Sequence, residues 1–223
     1  MNLIEYPDRE FLMLGVADRL AADLTGILTH EERASLCVPG GTTPGPVFDT
    51  LSGVELDWGR VSIFLSDERW VPESSPRSNT RLLRERLLRG PAAAARFLPL
   101  YAEADAPEWR MAELAAGLEP HLPISVLLLG MGEDMHTASL FPGADRLDEA
   151  LSDDAPVLLP MRAPGADEPR VTLSAPVLAG ALHIHILITG HDKRDALQRA
   201  QHLSPREAPV RAVLGDATIH WAE

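Results

Sequence analysis

The chain has 223 residues, of which 45% are hydrophobic and 24% charged, enough to build one large domain with a sizeable core. A formal net charge of -13 works against contact with nucleic acid or anionic membrane, and no run of Lys and Arg gathers a basic face. The apolar runs are too short to span a bilayer.

The first residues, Met1 to Asp8, lack a basic start followed by an apolar core, so no secretory signal is expected. Apolar side chains at Phe11, Leu14, Ala17, Leu20, Leu24 and Leu28 have the three-and-four spacing of an amphipathic helix over residues 9 to 29. A first strand is predicted at Ser35 to Val38. It holds Cys37, the single cysteine, which excludes an internal disulfide and fits a reducing, cytoplasmic setting. Pro39-Gly40-Gly41-Thr42-Thr43-Pro44 then breaks the chain and opens a short helix, with Pro44 near its first turn.

The strand at 61 to 65 leads into a loop, Ser66-Asp67-Glu68-Arg69-Trp70-Val71-Pro72. A helix follows from about Thr80 to Arg89, capped by Ser78 or Asn79, and its Arg81, Arg84, Glu85, Arg86 and Arg89 read as a solvated surface. Another helix covers roughly 107 to 120, and a strand at 124 to 129 runs into the polar loop Gly130 to Gly143. Residues 142 to 170 hold many prolines and acids, so a partly irregular excursion or smaller lobe is expected there, with one strand candidate at Val157 to Met161. Later strands are read at Val171 to Ser174, His183 to Thr189 and Thr218 to Trp221, with helices near 176 to 181 and 192 to 202. Strands alternating with helices predict a single α/β domain over residues 1 to 223, Rossmann-like, with a mostly parallel sheet between two helical layers.

Several loops at predicted strand ends carry chemistry. Asp134 and His136 follow a buried strand, where an open sheet presents its ligands, and an imidazole suits proton transfer near neutral pH. The alternative for His136 is a structural histidine bonded to backbone. Gly40, Gly41, Thr42 and Thr43 form either a tight turn or a cradle for phosphate at a helix N-terminus, and the absence of a following Lys-Ser or Lys-Thr excludes a Walker loop. Asp67, Glu68 and Arg69 read as a ligand-orienting cluster or as a self-neutralising turn. Lys193, the sole lysine, and Arg170 sit beside later strands and can complete an anion site. His183 and His185 alternate with Ile184, Ile186 and Ile188, which places the histidines on the less buried side of their strand; no carboxylate or cysteine completes a metal spacing.

Pro39 to Pro44, Asp67 to Pro72, Ser78-Asn79, Gly130 to Gly143, Arg170 to Leu173 and Pro209-Val210-Arg211-Ala212-Val213-Leu214 together resemble the 6-phosphogluconolactonase family over nearly the whole chain. The specific part is Asp134-Met135-His136-Thr137-Ala138-Ser139-Leu140-Phe141-Pro142-Gly143. The resemblance implies a fold shared with glucosamine-6-phosphate deaminases and isomerases. It also implies hydrolysis of 6-phospho-D-glucono-1,5-lactone in the oxidative pentose phosphate pathway, without metal or other cofactor. Carried onto these positions, it implies His136 as general base oriented by Asp134, and Gly40 to Thr43, Arg170 and Lys193, with Arg69 and Arg211, around the phosphate. Asp67 and Asn79 are implied near the sugar hydroxyls. In relatives a glycine usually stands where this chain has Met135, and a serine often stands where it has Pro39. Two rivals are kept: an amino-sugar phosphate deaminase/isomerase, which needs a glutamate where Phe141 precedes Pro142, and a non-catalytic sugar-phosphate sensor, which needs a basic helix-turn-helix segment.

Overall fold

The computed structural model describes residues 1–164 and 166–223. Its centre is a seven-stranded sheet in the order β1-β10-β9-β6-β2-β3-β5, parallel at every pairing. The strands are β1 (Asn2–Glu5), β2 (Ala34–Val38), β3 (Val61–Leu65), β5 (Arg96–Phe97), β6 (Val126–Gly130), β9 (His183–Thr189) and β10 (Thr218–Ala222). Every residue of β2 and β3 is buried, as the unbroken apolar runs of a sheet covered on both faces require. The edge strand β1 escaped the sequence reading because Asn2 and Glu5 leave it only two apolar residues, and it lies largely exposed against β10.

Helix α1 (Arg9–His30) begins where Asp8 accepts the Phe11 amide, a cap that satisfies one free N–H of the first turn. It buries Leu12, Val16, Ala17, Leu20, Leu24 and Leu28, each leucine contributing roughly 2 kcal/mol by leaving water. Phe11 and Leu14, expected on the inner face, are 59% and 44% exposed. Leu12 and Val16 take the inward positions instead, continuing the four-residue spacing of Leu20, Leu24 and Leu28 that packs on the sheet. Helix α2 (Gly45–Ser52) packs on α1, and α3 (Asn79–Arg86) packs on α2. The helix expected over 107 to 120 is shorter, α4 (Met111–Leu118), flanked by single 3-10 turns.

A second, three-stranded antiparallel sheet joins β4 (Asp67–Arg69), β8 (Arg170–Leu173) and β7 (Leu158–Met161). Asp67 to Arg69, read as loop from the sequence, is thus the strand that couples the end of β3 to this sheet. The excursion over 142 to 170 supplies β7 and the short helix α5 (Leu147–Ala150). Helices α6 (Ala175–Ala179) and α7 (His191–Ala200) complete the chain's helical elements, and no helix among the described residues is long and apolar enough to cross a membrane.

Successive strands leave β2 in one direction, through β3 to β5, and leave β6 in the other, through β9 to β10. The two neighbours β2 and β6 therefore bracket the crevice where chain connections diverge, the place in an open parallel sheet where ligands bind.

Candidate active site

Both loops that leave this crevice carry backbone that side chains resist. Gly41, after β2, has a φ of +84°, and a Cβ on Gly40 would stand 2.1 Å from the Asn79 side chain. After β6, a Cβ on Gly132 would stand 2.3 Å from the His136 ring, so only glycine lets the imidazole lie flat over the backbone. Gly132 donates its N–H to the His136 carbonyl at 3.0 Å, and Thr137 donates its hydroxyl to the Gly130 carbonyl at 2.9 Å, closing the loop on itself. Met135 sits at φ 66°, in the left-handed region that the glycine usual in relatives occupies freely; its N–H donates to Gly132 O and its carbonyl accepts from Val210 N–H. Ala138 is left-handed as well, at φ 49°.

His136 is held through Nδ1, 2.5 Å from Asp134 Oδ1, the carboxylate oxygen that also accepts the His136 backbone N–H. The hydrogen bond from His136 holds the Asp134 carboxyl below its ordinary value, against the opposing effect of partial burial. With Nδ1–H donated to a carboxylate, Nε2 is left as the acceptor of the neutral ring. The imidazole lies against Phe141, centroids 4.3 Å apart, and the Arg170 guanidinium lies 5.5 Å from the same ring.

The cleft has a volume of about 230 Å³ and is lined by Gly40, Gly41, Thr43, Asp67, Arg69, Asn79, His136, Arg170 and Lys193 among others. Arg69 and Arg170 are directly opposed across the β4–β8 pairing, and each keeps a buried Nε without a hydrogen-bond partner among the described residues. Like charges placed opposite one another repel, and Glu168, 3.9 Å from Arg69 Nε, and Asp67, 3.7 Å from Arg170 Nη1, offset part of that repulsion. Burial first, and Arg69 as a further cause, hold Arg170 below the ordinary guanidinium value, with Asp67 opposing. Lys193 stands in the first turn of α7, behind Gly190 at φ +84° and with no side-chain cap, so that helix N-terminus is open to the cleft.

Asp67 is buried and accepts from Ser66 Oγ at 3.2 Å and Ser139 Oγ at 2.6 Å, with Arg170 Nη1 at 3.7 Å. The carboxylate thus ties the His136 loop to the small sheet. Glu68, fully buried, has a different role from the one its neighbours suggest: it accepts the N–H groups of Arg69, Asn79 and Thr80 and the Ser78 hydroxyl. Burial raises its pKa and those donors offset the rise. The ion-pair turn of the sequence reading is in fact an anchor for the start of α3, which holds Asn79 at the cleft with its Nδ2 donating to Asp67 O at 3.1 Å. Glu68, read from the sequence as part of a ligand-orienting cluster or a self-neutralising turn, instead anchors backbone amides, while Ser139 escaped the sequence reading as a site-building residue because no spacing marks its partner Asp67.

Two expected positions lie elsewhere. Thr42 is exposed and does not line the cleft, and its carbonyl closes the turn by accepting from Gly45 N–H. Arg211 lies in a separate surface depression with Met1 and Leu214, donating to the Gln201 carbonyl, because the 3-10 turn over Pro209–Val213 faces it away. Of the β9 histidines, His183 is part-exposed as expected, but His185 is placed differently. His185 is 2% exposed, not on a wetter face, because α1 covers it. Its Nε2 meets Asp23 Oδ2 at 2.9 Å, its Nδ1 meets His220 Nε2 at 3.0 Å, and His220 Nδ1 meets Tyr6 OH at 2.9 Å. One direction satisfies all three bonds with neutral rings: Tyr6 O–H donates to His220, His220 to His185, and His185 to the Asp23 carboxylate. His191 is exposed and faces Glu223.

A family profile described as glucosamine-6-phosphate isomerases/6-phosphogluconolactonase matches residues 7–221. This chain belongs to that family. A 6-phosphogluconolactonase of Mesorhizobium japonicum is 44% identical over 99% of this chain and 95% of its own length. One of Pseudomonas aeruginosa is 45% identical over 93% of this chain and 89% of its own. Among solved structures, a 6-phosphogluconolactonase from Shewanella baltica superposes with a TM-score of 0.96 at 31% identity, covering 100% of this chain and 98% of that one. The mostly parallel sheet with its flanking helices is thus the α/β fold of the family, and the glycine loops, His136 with Asp134 bonded to it, and Arg69, Arg170 and Lys193 stand at one cleft of it.

Proposed function

We propose that this family member hydrolyses 6-phospho-D-glucono-1,5-lactone to 6-phospho-D-gluconate in the oxidative pentose phosphate pathway. The observation that carries the reading is the pairing, in one cleft, of a carboxylate-oriented imidazole with Arg69, Arg170 and Lys193, two of whose guanidinium Nε atoms are buried without a hydrogen-bond partner among the described residues. His136 takes a proton through Nε2 from a water that attacks the lactone carbonyl, and Asp134 holds the tautomer and stabilises the imidazolium that forms. The ring C–O bond breaks as the tetrahedral intermediate collapses, and the proton returns to the leaving alkoxide. A δ-lactone is an activated ester, so a general base worth roughly 10²- to 10⁴-fold, with orientation of the substrate, suffices without a covalent intermediate. Arg170 and Lys193, with Gly40, Gly41 and Thr43, bind the 6-phosphate; Arg69 supports them, and Asp67 and Asn79 face the sugar hydroxyls. Cys37 takes no part, as burial first and the Asp67 carboxylate second push its thiol well up.

Phe141 supports the lactonase over the deaminase branch of the family. Its ring fills the place beside His136 where a deaminase needs a carboxylate for ring opening. The test is the disappearance of freshly generated 6-phosphogluconolactone with and without protein, alongside ammonia release from glucosamine 6-phosphate. Accelerated lactone loss without ammonia is expected; ammonia release, or binding of either sugar phosphate without turnover, overturns the assignment.

A further inference from the structure

We propose that a second cavity, at the opposite end of the sheet from the catalytic cleft, is a binding site for a small dianion, a phosphate or dicarboxylate carried on an apolar body. The cavity measures about 580 Å³ and opens beneath the N-terminal ends of β2 and β6, the same strand pair whose far ends carry the catalytic loops. A five-residue strand spans about 17 Å, so the two sites are physically separate.

Its charge is unusual for this molecule. Arg33, ahead of β2, Arg96, in β5, and His121, ahead of β6, all line it, and Glu31 is the single carboxylate among the lining residues. Most arginines of this acidic chain are held by carboxylates. Arg33 and Arg96 have neither an ion pair nor a side-chain hydrogen bond among the described residues. Their proximity is felt at His121, which burial, then Arg96, then Arg33 hold below the ordinary histidine value. Lys193 in the cleft described above is likewise without an ion pair among the described residues. An uncommitted cation in a concavity is how this protein presents itself to an anion.

The floor offers a donor as well. Ser35 and Ser125, 3% and 7% exposed, exchange backbone N–H bonds to each other's Oγ at 3.0 and 2.9 Å, and their hydroxyls meet at 3.4 Å. That single hydroxyl contact uses one of two O–H groups, leaving the other without an acceptor among the described residues. Leu122, Pro123 and Leu182 form an apolar wall, with Leu182 60% exposed, and the same wall continues into an adjoining hollow beside Pro176 and Val177. The cations and the hydroxyl select the head group; the wall takes the apolar body.

Phenyl phosphate and isophthalate are the probes, titrated calorimetrically into the full chain carrying Lys193→Ala, which weakens anion binding in the catalytic cleft. The expected result is saturable binding of at least one probe that weakens by about tenfold or more when Arg33→Ala and Arg96→Ala are added, as lost charge-assisted hydrogen bonds imply. Whichever probe binds more tightly identifies the head group. Arg33→Lys with Arg96→Lys keeps the charge, and intermediate affinity is expected. Lactone hydrolysis and thermal midpoint of the Arg33→Ala, Arg96→Ala protein, with Lys193 intact, are expected to match the parent protein. No saturable binding in the Lys193→Ala background, or binding indifferent to both arginines, overturns the proposal.

Discussion

Two of the molecule's carboxylate–imidazole pairs, Asp134–His136 and Asp23–His185, are alike in chemistry and opposite in setting. Asp134–His136 stands at the mouth of a cleft, side chains 53% and 31% exposed, while Asp23–His185 is sealed under α1 at 10% and 2%. In the first, Nδ1 is committed, Nε2 has no hydrogen bond among the described residues and the residue lines the cleft; in the second, both ring nitrogens of His185 and of His220 are taken by hydrogen bonds. A carboxylate makes a histidine a base only where one nitrogen keeps a free path to substrate. Otherwise the same pair is structural.

The largest effect that separates the two is catalytic. His136→Ala is expected to lower kcat by roughly two to four decades with little change in thermal midpoint. His185→Ala is expected to leave kcat near the parent value while removing roughly 2 to 4 kcal/mol of stability, since Asp23 and His220 lose buried partners. Steady-state kinetics and chemical denaturation on both variants check the contrast, and matching losses of kcat would break it.

Acid sharpens the comparison from the other side. Burial first, then the neighbouring His185 and Arg19, hold His220 down to about 4, and burial lowers His185 in the same direction. Unfolded, each titrates near about 6.5. Above that value both states are neutral and stability is complete; as pH falls from about 6.5 towards about 4 the unfolded chain gains protons that the folded chain refuses. Folding stability is therefore expected to drop by of order 3 kcal/mol over that window, with a proton-linked slope that His220→Gln flattens. Urea denaturation at several pH values measures it, and a slope unchanged in His220→Gln contradicts the buried relay.

At the cleft, Lys193→Ala is expected to raise KM for the phosphorylated lactone by about tenfold or more with kcat largely kept, the loss of one charge-assisted contact. An unphosphorylated δ-lactone, turned over by both proteins, should be indifferent to the change. The smallest effect concerns the backbone of the His136 loop. Met135→Ile is expected to cost about 1 to 2 kcal/mol because a β-branched residue resists φ 66°. Met135→Gly, freed of that restriction, is expected to retain catalysis.

The sheet and the crevice that holds the candidate site were legible because apolar runs ending in glycine loops leave a direct mark on sequence. Leu36 to Val38 and Val126 to Leu129 are such runs, and Gly40-Gly41 and Gly130 to His136 follow them. What stayed hidden depends on partners far along the chain. Asp67 and Glu68 look alike in sequence, yet one meets Ser139 and the other the first amides of α3. The inward turn of Leu12 and Val16 was decided by packing of α1 on the sheet, and the buried state of His185 by a helix more than 150 residues away. Arg211 belongs to a motif that resembles the family's, but the direction its side chain takes is set by the turn that carries it.

The central claim is that His136, oriented by Asp134, is the proton acceptor in lactone opening. The most direct test follows loss of 6-phosphogluconolactone by the parent protein and by His136→Ala between about pH 5 and 8, corrected for spontaneous opening at each pH. The expected result is a parent kcat/KM that falls on acidification with a one-proton dependence, and a residual activity in His136→Ala that lacks it. A variant that retains both the parent rate and the parent pH dependence contradicts the claim.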